Sequence, residues 1–87
     1  MGNSLQARVR GLLKEARCLQ ADAETLTNDA DLYAAGLSSH ATVNLMLALE
    51  EAFDVEFPDR LLRRQTFSSI DAIAGALVEI GVKKEAA

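Results

Sequence analysis

Eighty-seven residues and 9.4 kDa leave room for one domain, so the chain reads as a single unit over 1–87 with its ordered part over about 4–81. Hydrophobic residues make up 49% of it, enough for a modest core, and with no tryptophan and only Tyr33, Phe53, Phe57 and Phe67 as aromatics that core is built from Leu, Ile, Val and Ala, which favours packed helices over a sandwich. The net charge of −4 is unevenly spread: no Lys or Arg occurs from Cys18 through Asp59, a stretch holding nine carboxylates, so the middle of the chain repels nucleic-acid phosphates and suits basic protein surfaces.

The single cysteine, Cys18, excludes an internal disulfide and points to a reducing compartment. No apolar run approaches a membrane span, and the first residues lack the apolar core of a signal peptide. These features together predict a cytoplasmic protein that binds neither membrane nor nucleic acid.

In chain order, Leu5, Val9, Leu12, Ala16 and Leu19 recur at spacings of four and three, predicting an amphipathic helix from about Ser4 to Leu19 with Asn3 or Ser4 as its cap. A connection rich in Asp, Thr and Asn follows to Leu37, anchored by Leu26, Leu32, Tyr33 and Leu37, with Gly36 marking a turn. A second helix is expected from Ser39 to about Phe53, capped by Ser38. Phe57-Pro58-Asp59 interrupts the pattern, and Pro58 fits the first turn of a short third helix carrying Leu61 and Leu62. A last helix begins near Ser68 or Ser69, where Ser68-x-x-Asp71 resembles a capping box. It buries Ile70, Ile73, Ala74, Leu77 and Ile80 and stops at Gly81, with Lys83 and Lys84 suiting its negative end.

The second helix carries more apolar surface than one core face needs. At about 100° per residue, Thr42, Leu45, Met46, Leu49 and Phe53 fall into one arc, while Val43 and Leu47 lie beyond it in a strip with Ser39 and Glu50, with His40 and Glu51 at its edge. Periodicity permits two readings of that strip: a wide buried arc, or a docking strip with apolar contacts in the centre and carboxylates at the rim.

Catalytic groups are scarce. His40 is the only histidine, so it has no second imidazole or neighbouring thiol with which to form a metal site, and Cys18 reads as an inert, partly buried thiol at the far end of the first helix. Ser39 stands apart, because it opens a helix after a turn glycine. A phosphodiester on its hydroxyl would sit at the positive end of the helix, while Ser38 is available for capping.

Asp31-Leu32-Tyr33-Ala34-Ala35-Gly36-Leu37-Ser38-Ser39 resembles the attachment motif of acyl carrier proteins. Leu45-Met46-Leu47-Ala48-Leu49-Glu50-Glu51-Ala52-Phe53 and Val55-Glu56-Phe57-Pro58-Asp59 extend the likeness, which runs from about Leu26 to Ile80. The resemblance implies an all-α, four-helix bundle of acyl carrier type, three longer helices plus a short third, with a long loop between the first two. It implies a non-catalytic, monomeric carrier with 4'-phosphopantetheine, transferred from coenzyme A to Ser39 by a phosphopantetheinyl transferase, holding an acyl or aminoacyl group as a thioester. It also implies partner recognition through the second helix, at Val43 and Leu47, with Glu50, Glu51 and Asp59 matching the family's recognised acids. Ser38 and His40 depart from the usual Gly-Leu-Asp-Ser-Leu, and Ala41 and Asn44 stand where carriers of general fatty-acid synthesis are acidic. The wording is closer to specialised bacterial carriers, some of which are charged by stand-alone amino acid ligases resembling aminoacyl-tRNA synthetases. An ordinary acyl carrier of fatty-acid or polyketide synthesis and an unmodified helical interaction module are the alternatives. A helix-turn-helix DNA binder is set aside, because its recognition helix would carry no Lys or Arg.

Overall fold

The computed structural model describes residues 5–20 and 22–82; the cap expected at Asn3 or Ser4 and the tail lysines Lys83 and Lys84 lie outside them. Three α-helices, α1 (Leu5–Glu15), α2 (Ser39–Phe53) and α3 (Ile70–Glu79), are joined by irregular chain, with no strand among the described residues. Single 3₁₀ turns occur at Ala23–Thr25, Asp59–Leu61 and Arg64–Phe67. The expected short third helix is therefore two successive 3₁₀ turns. Pro58 caps the first of them from outside, at φ −70°, and Leu62 leaves helical geometry before the second begins.

Each helix buries one stripe. Leu5, Val9 and Leu13 of α1 meet Leu45 and Leu49 of α2 and Ile70, Ile73 and Leu77 of α3 in a single core, and Leu32 of the long connection is fully buried with them. The α1 stripe runs through Leu13 rather than Leu12, which is only partly buried, and α1 ends four residues earlier than the periodicity implies. Arg17 adopts φ 53°; its N–H bonds the Lys14 carbonyl at 3.2 Å, and the Cys18 N–H bonds the Leu13 carbonyl at 3.2 Å. That is a Schellman stop, and it folds Cys18 back into the core at 4% exposure, three residues past the last helical one. The other helices end the same way. Val55 N–H bonds Glu50 behind Asp54 at φ 55°, and Val82 N–H bonds Leu77 behind Gly81 at φ 110°.

The α3 start also differs from expectation. Ser69, not Ser68, is the cap, accepting from the Ala72 N–H at 3.0 Å, while the Ser68 hydroxyl donates to the Gln65 carbonyl and closes the preceding turn.

The long connection is held at several points. Leu32 N–H donates to Ser68 and Asp71 N–H to Asn28, tying it to the α3 entrance. Arg10, part-buried on α1, reaches the carbonyls of Ala23 and Leu26 and the Asn28 side chain. Near its end Gly36 has φ 109°, and a Cβ there would lie 2.8 Å from the Gln20 backbone nitrogen. The turn presenting Ser38 and Ser39 thus abuts the chain leaving α1, with Gln20 N–H bonded to Ala35.

Candidate functional site

Ser39 occupies the first position of α2 and is exposed. Ser38 is the cap: its hydroxyl accepts from the Ala41 N–H at 3.0 Å and its carbonyl accepts from the Thr42 hydroxyl at 2.8 Å. The division of labour between the two serines follows from backbone geometry, since only the residue with extended φ and ψ, Ser38 at −85° and 169°, can reach back to the third helical N–H. Ser39 keeps its hydroxyl at the positive end of a four-turn helix, where an attached phosphodiester is electrostatically favoured.

Beyond Ser39, the two readings of the α2 strip separate. Val43 and Leu47 are 51% and 53% exposed, whereas Leu45 and Leu49 are buried completely, so the wide buried arc is excluded. Among the acids, Glu51 and Asp59 are exposed. Glu50 is half-buried and engaged: its Oε2 accepts from the Phe57 N–H at 2.8 Å. A carboxylate in the last turn of a helix faces the negative end of the dipole; this charge-assisted bond offsets that and holds the turn that seats Phe57 against Phe67, ring centres 5.5 Å apart. Glu50 is therefore a structural group.

A groove of about 380 Å³ runs beside Ser39 between α2 and the 3₁₀ segment. Ser39, Thr42 and Val43 form its α2 side, and Leu62, Arg63 and Arg64 the other, with the half-buried Met46 and the buried Phe67 beneath. Tyr33 closes one end. Its ring lies 3.9 Å from the Arg64 guanidinium carbon and its hydroxyl donates to the Arg64 carbonyl at 2.8 Å. Burial pushes the Tyr33 phenol above its ordinary value, with Arg64 pulling the other way. Of these groove residues, the sequence alone marks Ser39 and Val43 as site residues; it places Leu62 on a short helix and gives Arg63 and Arg64 no part. The available signal was the Arg63-Arg64 pair directly after an apolar pair, Leu61-Leu62, of which only one can face inward.

No group of three or more His, Cys, Asp or Glu able to hold a metal occurs among the described residues. Cys18 is buried, its thiol 3.7 Å from the Ala41 carbonyl and pushed up by desolvation, so it is poorly nucleophilic.

Residues 7–77, from within α1 through α2 and the groove into α3, match the phosphopantetheine attachment site family. The chain belongs to that family. Its cofactor is covalently attached 4'-phosphopantetheine, and it is a carrier rather than an enzyme. The carrier is 51% identical over 83 residues to the aminoacyl carrier protein of Agrobacterium fabrum (strain C58), covering 95% of this chain and 100% of that one. Its structure is similar, at TM-score 0.83 and 50% identity over 87% of this chain and 99% of the other, to the Agrobacterium tumefaciens carrier protein in complex with an engineered Bradyrhizobium japonicum glycine:carrier protein ligase and ATP. A second likeness, at TM-score 0.66 and 31% identity over 86% and 92%, is to a chain of the Bradyrhizobium japonicum ligase complexed with its cognate carrier protein and an analogue of glycyl adenylate.

The family's cofactor fits the residues present. Ser39 offers an exposed hydroxyl that capping does not consume, the helix start favours its phosphate, and the adjoining groove is apolar within. When attached, the group supplies a thiol that carries cargo as a thioester.

Proposed function

We propose that Ser39 is the attachment serine, modified by a phosphopantetheinyl transferase using coenzyme A, and that the chain is a specialised aminoacyl carrier loaded by a dedicated amino acid:carrier protein ligase. The observation that carries the aminoacyl reading is the 51% identity over nearly the whole chain to an aminoacyl carrier protein, joined by the structural likeness to a carrier bound to a glycine:carrier protein ligase. Glycine is the cargo this reading favours. Ser39 is supported by its exposure at the α2 start and by the capping role of its neighbour.

The ligase and transferase dock, on this reading, over Val43 and Leu47, whose exposed side chains lie on the Ser39 face of α2, with Glu51, Asp59 and the outer edge of Glu50 as the acidic rim. The carrier acts as one domain and a monomer in the cytoplasm. Its architecture is the four-helix acyl-carrier bundle with two 3₁₀ turns in the place of the short third helix. No helix among the described residues is long and apolar enough to cross a membrane.

Incubation with a broad-specificity transferase and coenzyme A should add one phosphopantetheine mass to the parent and to Ser38→Ala, and none to Ser39→Ala. The holo protein, given glycine, ATP and a glycine:carrier protein ligase, should then gain one glycyl mass that hydroxylamine removes. Modification of Ser39→Ala would overturn the site. Efficient malonyl loading and elongation, with no aminoacyl product, would favour an ordinary acyl carrier.

A further inference from the structure

The groove beside Ser39 is apolar inside and cationic along one side. Met46 and Phe67 lie beneath, the exposed Val43 and Leu62 form the rims, and Arg63 and Arg64 share the wall opposite α2; no carboxylate among the described residues lines it. The Arg64 charge is held in place, because its guanidinium stacks on Tyr33 while the Tyr33 hydroxyl bonds its carbonyl. The volume, about 380 Å³, lies within the range of small-molecule sites.

An arm on Ser39 begins in the wall of this groove. Its phosphodiester is an anion and the rest of it, down to the thiol, is uncharged; both suit an apolar trough flanked by guanidinium groups. A neutral acyl end changes nothing in that balance. An aminoacyl end does, because forming the thioester uses up the amino acid's carboxylate and leaves its ammonium group without a counter-charge. Inside a partly desolvated groove facing two arginines, that ammonium loses hydration and meets like charge.

Resting on the reading that Ser39 carries the arm, we propose that the groove sorts the arm by the charge of its cargo: a free or neutral-acyl arm rests in it, and Arg63 and Arg64 turn an aminoacyl arm out to solvent. Loading by the ligase then releases the arm from the carrier's own surface and presents the amino acid to the next enzyme.

The test uses the full chain loaded enzymatically from coenzyme A analogues that end in amide-linked glycyl or propionyl groups. These are matched in shape and differ in the ammonium against a methyl. Mass spectrometry first establishes addition at Ser39, and methyl chemical shifts of Val43, Met46 and Leu62 are then compared with the unmodified chain. The propionyl form should shift these methyls, and the glycyl form should rest in the groove about tenfold less, as expected for one like charge at short range in a partly screened site. Arg63→Gln should restore part of the glycyl shift, and the R63Q/R64Q pair the rest. Should the pair fail to fold, the exposed Arg63→Gln alone decides. Addition at Ser39 with equal shifts for both cargoes, with no shift for either, or with no restoration in any folded arginine variant overturns the proposal alone. Absence of addition at Ser39 overturns the attachment reading, and the proposal with it.

Discussion

Adjacent carboxylates at the end of α2 do different work. Glu50 accepts the Phe57 N–H, whereas Glu51 points to solvent. Glu50→Ala should lower stability by about 1–2 kcal/mol, the range for losing a charge-assisted bond at a part-buried N–H, and Glu51→Ala should stay within about 0.5 kcal/mol of the parent. Urea titrations of the two variants check this, and equal midpoints would remove the structural role of Glu50. Cys18 and Tyr33 both weaken the fold at alkaline pH. Burial raises both acids above their ordinary values of 9.0 and 10.0, so in the alkaline range the unfolded chain binds fewer protons than the folded one. Their contribution to stability is complete below those ordinary values and is lost as pH climbs through the raised folded ones. Thermal midpoints should therefore fall above about pH 9, and Cys18→Ala should lessen the fall. A flat profile across that range would contradict the burial argument.

At the scale of elements, helix ends carry most of the deviations from simple periodicity. Arg17 and Asp54 hold left-handed backbone that glycine adopts without penalty. Arg17→Gly and Asp54→Gly should each raise stability by about 0.5–1 kcal/mol, the relief of the left-handed strain less glycine's extra chain entropy. That corresponds to a few degrees in Tm for a domain of this size. A loss of stability in both would show that other contacts of these side chains dominate. Gly36 is the opposite case. An alanine Cβ would meet the Gln20 backbone at 2.8 Å on a φ of 109°, so Gly36→Ala should cost about 2–4 kcal/mol. Because the Gly36 turn leads directly into Ser38, the variant should also slow modification of Ser39 under conditions where it remains folded. An unchanged modification rate would separate that turn from the placement of the serine.

For the whole molecule, charge is arranged by face. Exposed apolar Val43 and Leu47 lie with Glu51 on α2, and Asp59 stands at the next turn, while the arginines of the 3₁₀ segment flank the groove. Exposed rim charges act mainly through encounter rate and are screened by salt. Glu51→Lys and Asp59→Lys should therefore each slow ligase charging about three- to tenfold at low ionic strength, converging on the parent at high salt. Val43→Asp should slow it at every salt concentration. Initial rates of aminoacyl transfer across an ionic-strength series measure both, and salt-independent losses for the two charge reversals would place those residues outside the docking rim.

Local pattern was enough for the existence of the three long helices, the two-serine start of α2, the Leu45 and Leu49 core face and the α3 stripe from Ile70 to Leu77, because each rests on spacing along one segment and needs no partner to be read. The motif residues from Asp31 to Ser39 likewise pointed to the family through sequence alone. Tertiary structure decided what depends on chain returning from a distance. It ended α1 at Glu15, because Cys18 gains a place in the core by folding back. It drew the cap of α3 to Ser69, because the Ser68 carbonyl is taken by Leu32 and its hydroxyl by Gln65. It replaced a short helix with two 3₁₀ turns, exposing Leu62 while burying Leu61 and Phe67. Exposure of Val43 and Leu47 was equally beyond periodicity, since a helix wheel ranks faces but the number of neighbours that cover them is a property of the assembled bundle. The groove and its arginine wall joined residues of α2 to residues some twenty positions later; no local spacing encodes that meeting.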